Sequence, residues 1–170
     1  MAKELTPKTK TQSFYDKIAD VQHLAQKIIG YRASLTKHLR QLKLNISSDS
    51  LVLDAGCGTG LATLSMFSAG YRPRKTFALD ISFNSLTVAA EEFQKDKTAK
   101  SDEIEKIQGN LLKLPFSDKS IDVILTCGAL EYVPFDDGMR ELARVLKPKG
   151  ILVMIPIRPS AVSSVLEVVY

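Results

Sequence analysis

The sequence predicts an α/β fold: a doubly wound, mainly parallel sheet behind an N-terminal helical cap. Three observations predict it. Short, near-continuous apolar runs alternate with segments of helical periodicity, the pattern of parallel strands covered on both faces. The first run ends in an acid and a loop with glycine at every second position, LVLDAGCGTG (51–60). A chain of 170 residues, 45% hydrophobic and 25% charged, is long enough to bury one sizeable core.

In chain order, residues 1–12 are polar and predict a frayed end. Phe14, Ile18, Val21, Leu24 and Ile28, then Leu35, Leu39 and Leu42, recur at helical spacing, and Gly30 divides them into two helices. NISSDS (45–50) is a polar linker. LVLDA (51–55) predicts the first strand, and a helix follows from about Thr59 to Ala69. TFALD (76–80) predicts the second strand, with a helix to about Gln94 and a charged loop, KDKTAKSDE. IEKIQ (104–108) and IDVILTC (121–127) predict strands three and four. Asp136 to Leu146 repeats apolar residues at helical spacing, KPKG turns, and ILVMIP (151–156) predicts strand five. SAVSSVLEVVY (160–170) begins another helix. Residues 1–48 form the expected cap and 49–170 the sheet domain.

Nine basic residues against four acidic give residues 1–50 a net charge of +5, while the remainder carries −1. A basic segment attracts anionic substrates, nucleic acid or lipid surfaces. Here the charges are scattered, without an arginine cluster or aromatic ladder, which favours a solvated helical face and disfavours nucleic acid. No apolar stretch reaches the 18 residues of a membrane span, and the N-terminus has no signal-like apolar run. Two cysteines, Cys57 and Cys127, do not make a disulfide framework, so a cytoplasmic, reducing setting is expected. Reduced packing suits this pair better than redox chemistry. No metal-ligand spacing occurs, and His23 and His38 stand isolated on the cap helices.

The glycine loop predicts a nucleotide-like cofactor at the carboxyl end of the first strand. Gly56, Gly58 and Gly60 depart from the GxGxxG dinucleotide pattern, whose last position here holds Leu61. Asp54 lies immediately upstream. A carboxylate about 5 Å from a phosphate repels it by roughly 3 kcal/mol at an effective dielectric of about 20. The same carboxylate attracts the ammonium and sulfonium of S-adenosylmethionine. Asp80, ending the second strand, can accept from two ribose hydroxyls at roughly 1.5–3 kcal/mol each. Its alternative reading is a helix cap, since ISFNSL follows.

LVLDAGCGTG, ALDIS, GNLLKLPFSDKSIDVILTCGALEYV and RELARVLKPKGILVMI, in that order, resemble the motifs of class I S-adenosylmethionine-dependent methyltransferases. The likeness covers about residues 51–157 and is greatest to the ubiquinone- and menaquinone-biosynthesis-like branch (methyltransferase type 11). The resemblance implies the Rossmann-like sheet of that class. It also implies S-adenosyl-L-methionine as donor, S-adenosyl-L-homocysteine as product, and a small-molecule acceptor. Asp54 and the loop of Gly56, Cys57, Gly58 and Gly60 would surround the methionyl part. Asp80 would hold the ribose, Ile81 the adenine face, and Asn110 and Leu111 the adenine edge. Cys127 would offer its backbone carbonyl to the amino group. FYDKIAD (14–20) resembles the segment that closes over the cofactor. Tyr15, Glu131 and Tyr132 are the candidates for a catalytic role, and no dedicated base stands out. Glu141 and Arg144 read as structural or solvated.

Three departures from the family pattern carry expectations. Asn110 stands where the family usually has Asp, and its oxygen can still accept from the adenine amino group. KPKG replaces the commoner KPGG, which predicts a type I turn, because Lys149 takes positive φ less cheaply than glycine. The chain ends soon after strand five, where the family sheet adds two strands. This predicts an exposed apolar edge, from a shortened chain or gene, or an edge completed by self-association. Two other functions compete: a non-catalytic cofactor-binding module, and a nucleotide-linked dehydrogenase, which Asp54 and Leu61 disfavour.

Overall fold

The computed structural model describes residues 9–28 and 30–156. The expected helix at 160–170 lies outside the described residues, as does the frayed end over residues 1–8. Residues 10–12 were expected to fray but form the first turn of α1 (Lys10–Ile28). The Gln12 N–H donates to Thr9 Oγ1 at 3.1 Å, which satisfies one free donor of that turn. Gly30, in the left-handed region, divides α1 from α2 (Tyr31–Leu42).

The alternating part follows: β1 (Leu51–Ala55), α3 (Leu61–Ser68), β2 (Lys75–Asp80), α4 (Phe83–Lys95), β3 (Ile104–Gln108), β4 (Ile121–Cys127), α5 (Phe135–Val145) and β5 (Leu146–Ile155). The strands form one sheet in the order β3-β2-β1-β4-β5, with every pairing parallel. This is the doubly wound, Rossmann-like sheet that the alternation predicts.

Alternation along each strand divides the core into two layers. Val52, Ala78, Val123 and Leu125 pack with Leu39 of α2, Phe67 of α3 and Phe93 of α4. Leu53, Leu79 and Ile124 pack with Leu142 and Val145 of α5, and with Leu111 and Leu114. The second layer is anchored by Arg144. Its guanidinium donates to the carbonyls of Leu114 and Phe116 and pairs with Glu141 and Asp118. Glu141 in turn accepts from the Leu114 N–H at 2.7 Å. The pair is structural: it holds the segment that carries Asn110 and Leu111 against α5.

The fifth strand differs from expectation. It begins at Leu146, and KPKG is a bulge within it, since the pairing passes from Ile121↔Leu146 to Val123↔Ile151. Lys149 sits at φ 66, so the expected type I turn does not form. A lysine in the left-handed region costs about 1–2 kcal/mol, which the flanking strand pairing offsets. β5 is an edge strand among the described residues, and Met154 on it is 45% exposed.

The cap helices pack on the sheet helices. Ser82 Oγ donates to Asp16 Oδ1 at 2.6 Å, and Asn84 Nδ2 donates to the Asp16 carbonyl at 2.7 Å. His23 lies 3.6 Å from Glu92, which ties α1 to α4, whereas His38 is exposed on α2. The helical spacing misjudged one face of α1. Ile18 and Ala19 are buried, but Val21 and Leu24 are 45% and 58% exposed. Among the described residues no helix is long and apolar enough to cross a membrane.

Candidate functional site

The strand order reverses between β1 and β4. A cavity of about 230 Å³ opens there, at the carboxyl ends of β1, β2 and β4. All the predicted cofactor residues but Gly60 line it: Asp54, Gly56, Cys57, Gly58, Asp80, Ile81, Asn110, Leu111 and Cys127. Gly60 serves from behind, as the left-handed residue that opens α3.

The loop is laid over the end of β2 by two backbone bonds, since Gly56 and Cys57 both donate to the Leu79 carbonyl at 2.8 and 2.9 Å. Glycine is required at two of its turns. Gly56 has φ 76, and a Cβ there would lie 2.2 Å from the Ala129 methyl. Gly60 has φ 86, and a Cβ there would lie 2.4 Å from the Phe93 ring. The first contact brings the loop against the segment after β4. The second seats it on α4.

Asp54 is fully buried. Its Oδ2 accepts from both the N–H and the hydroxyl of Thr63, at 3.0 and 2.7 Å. Its Oδ1 has no partner among the described residues. Burial pushes the carboxyl up to about 6, and the Asp80 charge adds to this while the Thr63 bonds oppose it. A buried acceptor without a donor, on a carboxylate that lines a cavity, is a site for a cationic or donor-rich group.

Asp80 is not the cap of α4. Ser82 holds that place, accepting from the Ser85 N–H at 3.1 Å. Asp80 instead bridges the two loops: Oδ2 accepts from the Gly58 N–H at 2.8 Å and Oδ1 from the Ser82 N–H at 2.9 Å. Each oxygen keeps a lone pair, enough for two vicinal hydroxyls. Burial raises its pKa against these backbone bonds.

Asn110 differs from expectation in one respect. Its Oδ1 accepts from the Leu112 N–H at 2.9 Å, closing a local turn, so the oxygen expected to meet an adenine is already partly engaged. The Leu111 side chain is turned into the core, which leaves its backbone as the contact on the cavity side. Gln108, which the sequence reading passed over, donates to the Ile81 carbonyl at 3.2 Å and fixes that wall.

The three catalytic candidates part company. Tyr15 lines the cavity with its ring edge-on to Tyr132, at 5.2 Å between centroids. Burial, then the hydrogen bond with Tyr132, drives its pKa upward, so Tyr15 keeps its proton and can donate a hydrogen bond but serves as neither base nor acid near neutral pH. Tyr132 lines the same cavity and is 45% exposed. Glu131 lines a neighbouring cavity of about 240 Å³, with Thr126, Phe135 and Met154. Both cysteines are free thiols. Burial raises Cys57 well above the ordinary range and Cys127 to about 11, so neither is a thiolate nucleophile. Tyr31, also unforeseen, reaches from α2 to within 3.5 Å of Cys127 Sγ.

A doubly wound parallel sheet with a cavity at its switch point defines a class, the Rossmann-like α/β domains. Comparison with known proteins identifies the family within that class. The model of the methyltransferase domain family matches residues 53–154, and the chain belongs to that family. The demethylmenaquinone methyltransferase of Staphylococcus epidermidis is 30% identical over 156 residues, 90% of this chain and 62% of that protein. A candidate S-adenosyl-L-methionine-dependent methyltransferase from Methanococcus maripaludis shares the fold at a TM-score of 0.70 and 19% identity, over 91% of this chain and 67% of that one. A candidate methyltransferase solved in complex with the Haloferax volcanii Trm112 activator gives 0.69 and 23%, over 82% and 58%. The chain spans less than two thirds of the length of the first curated relatives it matches.

Proposed function

We propose that this chain binds S-adenosylmethionine in the switch-point cavity and transfers its methyl group to a small-molecule acceptor. The unpartnered Asp54 Oδ1 carries this reading, because a dinucleotide phosphate would be repelled where an ammonium is attracted. Within residues 1–48, the described helices α1 and α2 serve as the cap over this site. The free cysteines support a reducing, cytoplasmic setting.

When bound, the cofactor supplies a methyl carbon on a positively charged sulfur, already activated for displacement. Asp54 and the loop of Gly56 to Gly60 would hold the methionyl end, and the N-terminus of α3 would be available to its carboxylate. Asp80 would hold the ribose, Ile81 would lie against the adenine face, the Leu111 backbone would lie at the adenine edge, and Cys127 would offer its carbonyl. Asn110 approaches the adenine edge through the group its turn leaves available. Tyr15 and Tyr132 close the cavity and exclude water beside the acceptor, so the protein's contribution is alignment and desolvation.

Calorimetry with S-adenosylhomocysteine and NAD side by side tests the reading, and a preference for NAD would overturn it. Binding without turnover on any acceptor class would favour the non-catalytic module. Asp80→Ala is expected to weaken S-adenosylhomocysteine at least tenfold, about 1.4 kcal/mol. An unchanged affinity would leave Asp80 a purely structural bridge between Gly58 and Ser82. The half-exposed Met154 on edge strand β5 supports pairing with a second chain. A sedimentation coefficient independent of concentration would count against that pairing.

A further inference from the structure

One polar side chain of the cap stands apart. Thr11, Tyr15 and Gln22 fall on one face of α1, at intervals of four and seven residues, and all three line the main cavity. The Gln22 Oε1 is buried and has no hydrogen-bond partner among the described residues. The Asp54 Oδ1, lining the same cavity, is in the same state. Two buried acceptors facing one cavity without donors call for a group that donates in several directions.

The position of Gln22 along the cavity follows from its neighbour. His23 pairs with Glu92 of α4, and the next residue, Phe93, lays its ring against Gly60. Gln22 therefore sits on the part of α1 held beside α4, in a cavity also lined by the glycine loop. Tyr15, two turns earlier, lies near the field of Asp80.

We infer that Gln22 is a positioning residue for the amino-acid end of the cofactor, its amide accepting from the ammonium that Asp54 also faces. The inference rests on the proposed cofactor and adds a contact from the cap helix. It makes cofactor recognition depend on α1 being docked, a dependence carried by a side chain rather than by general packing.

The test is binding of two ligands to the full chain and to Gln22→Leu. S-adenosylhomocysteine carries the amino-acid end, whereas 5′-methylthioadenosine lacks it. Gln22→Leu is expected to weaken the first at least tenfold and to change the second by less than twofold. Equal losses for both ligands would mean that the substitution disturbs the cap generally, and an unchanged affinity for S-adenosylhomocysteine would mean no contact. Either result overturns the inference. Should the leucine variant fail to fold, Gln22→Met, of similar length, is subject to the same two outcomes. Failure of the unsubstituted chain to bind S-adenosylhomocysteine would overturn the cofactor reading itself, a result distinct from the other two.

Discussion

Asp54→Asn is expected to make the unliganded protein more stable and to weaken S-adenosylhomocysteine binding by about 10- to 100-fold, the scale of a hydrogen bond to a charged group. The two effects have opposite signs because the carboxylate is costly where it stands. An asparagine oxygen can still accept both Thr63 bonds, so the substitution removes the charge while keeping the anchor. Burial raises the folded-state pKa from 3.8 to about 6, which corresponds to a cost of about 3 kcal/mol at neutral pH. The sign follows from proton counting. Between about pH 4 and 6 the unfolded chain releases the Asp54 proton while the folded chain keeps it. Stability therefore falls as pH rises through that window, and Asp54→Asn escapes this fall. Thermal melts of the two proteins from pH 4.5 to 7.5 should diverge as pH rises. Asp80 is also shifted upward and its charge acts on Asp54, so the difference between the curves reports Asp54 together with its coupling to Asp80. Affinity for the cationic ligand should drop by up to about tenfold per pH unit below 6 in the unsubstituted chain, and less steeply in the variant. Parallel stability curves would show that Asp54 is not the buried charge described here.

Gly56→Ala should be the most damaging small substitution in the domain. The added methyl group would lie 2.2 Å from the Ala129 Cβ, and φ at this position is 76. Overpacking costs about 1–3 kcal/mol and the left-handed backbone a further 1–2 kcal/mol. A loss of about 2–5 kcal/mol would lower Tm by on the order of 10 °C. Ala129→Gly in the same chain removes the steric partner but not the backbone strain. The double variant is expected to recover part of the loss. Full recovery would mean that φ is unimportant, and no recovery would mean that the loop does not meet the segment after β4 as described.

The sheet was legible because parallel strands buried on both faces must be continuously apolar. LVLDA and IDVILTC are observed with the predicted ends, and so is IEKIQ, an edge strand whose Glu105, Lys106 and Gln108 are exposed and whose two isoleucines alone mark it. Strand five was harder to read. KPKG looks like punctuation, yet pairing with β4 on both sides draws it into the strand as a bulge and forces Lys149 to positive φ. The N-terminal face of α1 was misread for a related reason. Periodicity counts apolar residues, so it selected Val21 and Leu24, whereas the face that docks is the one carrying Thr11, Tyr15 and Gln22. That face both packs and lines a cavity, so the buried Ile18 and Ala19 stand on it among polar residues and no clean apolar stripe forms.

The acids at the strand ends were the most readable part of the site. Asp54 and Asp80 each end an apolar run, and that pattern alone places two carboxylates at one end of a parallel sheet. What each carboxylate does there is a matter of distances the sequence does not contain. The glycine spacing, the two acids and the order of the strands were determined by local pattern, since each depends on a few neighbouring residues. Asp80 bridging Gly58 to Ser82, Asp54 losing its solvent with one oxygen unpartnered, and Gln22 reaching the same cavity were decided by tertiary structure. Burial and the pairing of polar atoms arise only when segments far apart in the chain exclude water from one another.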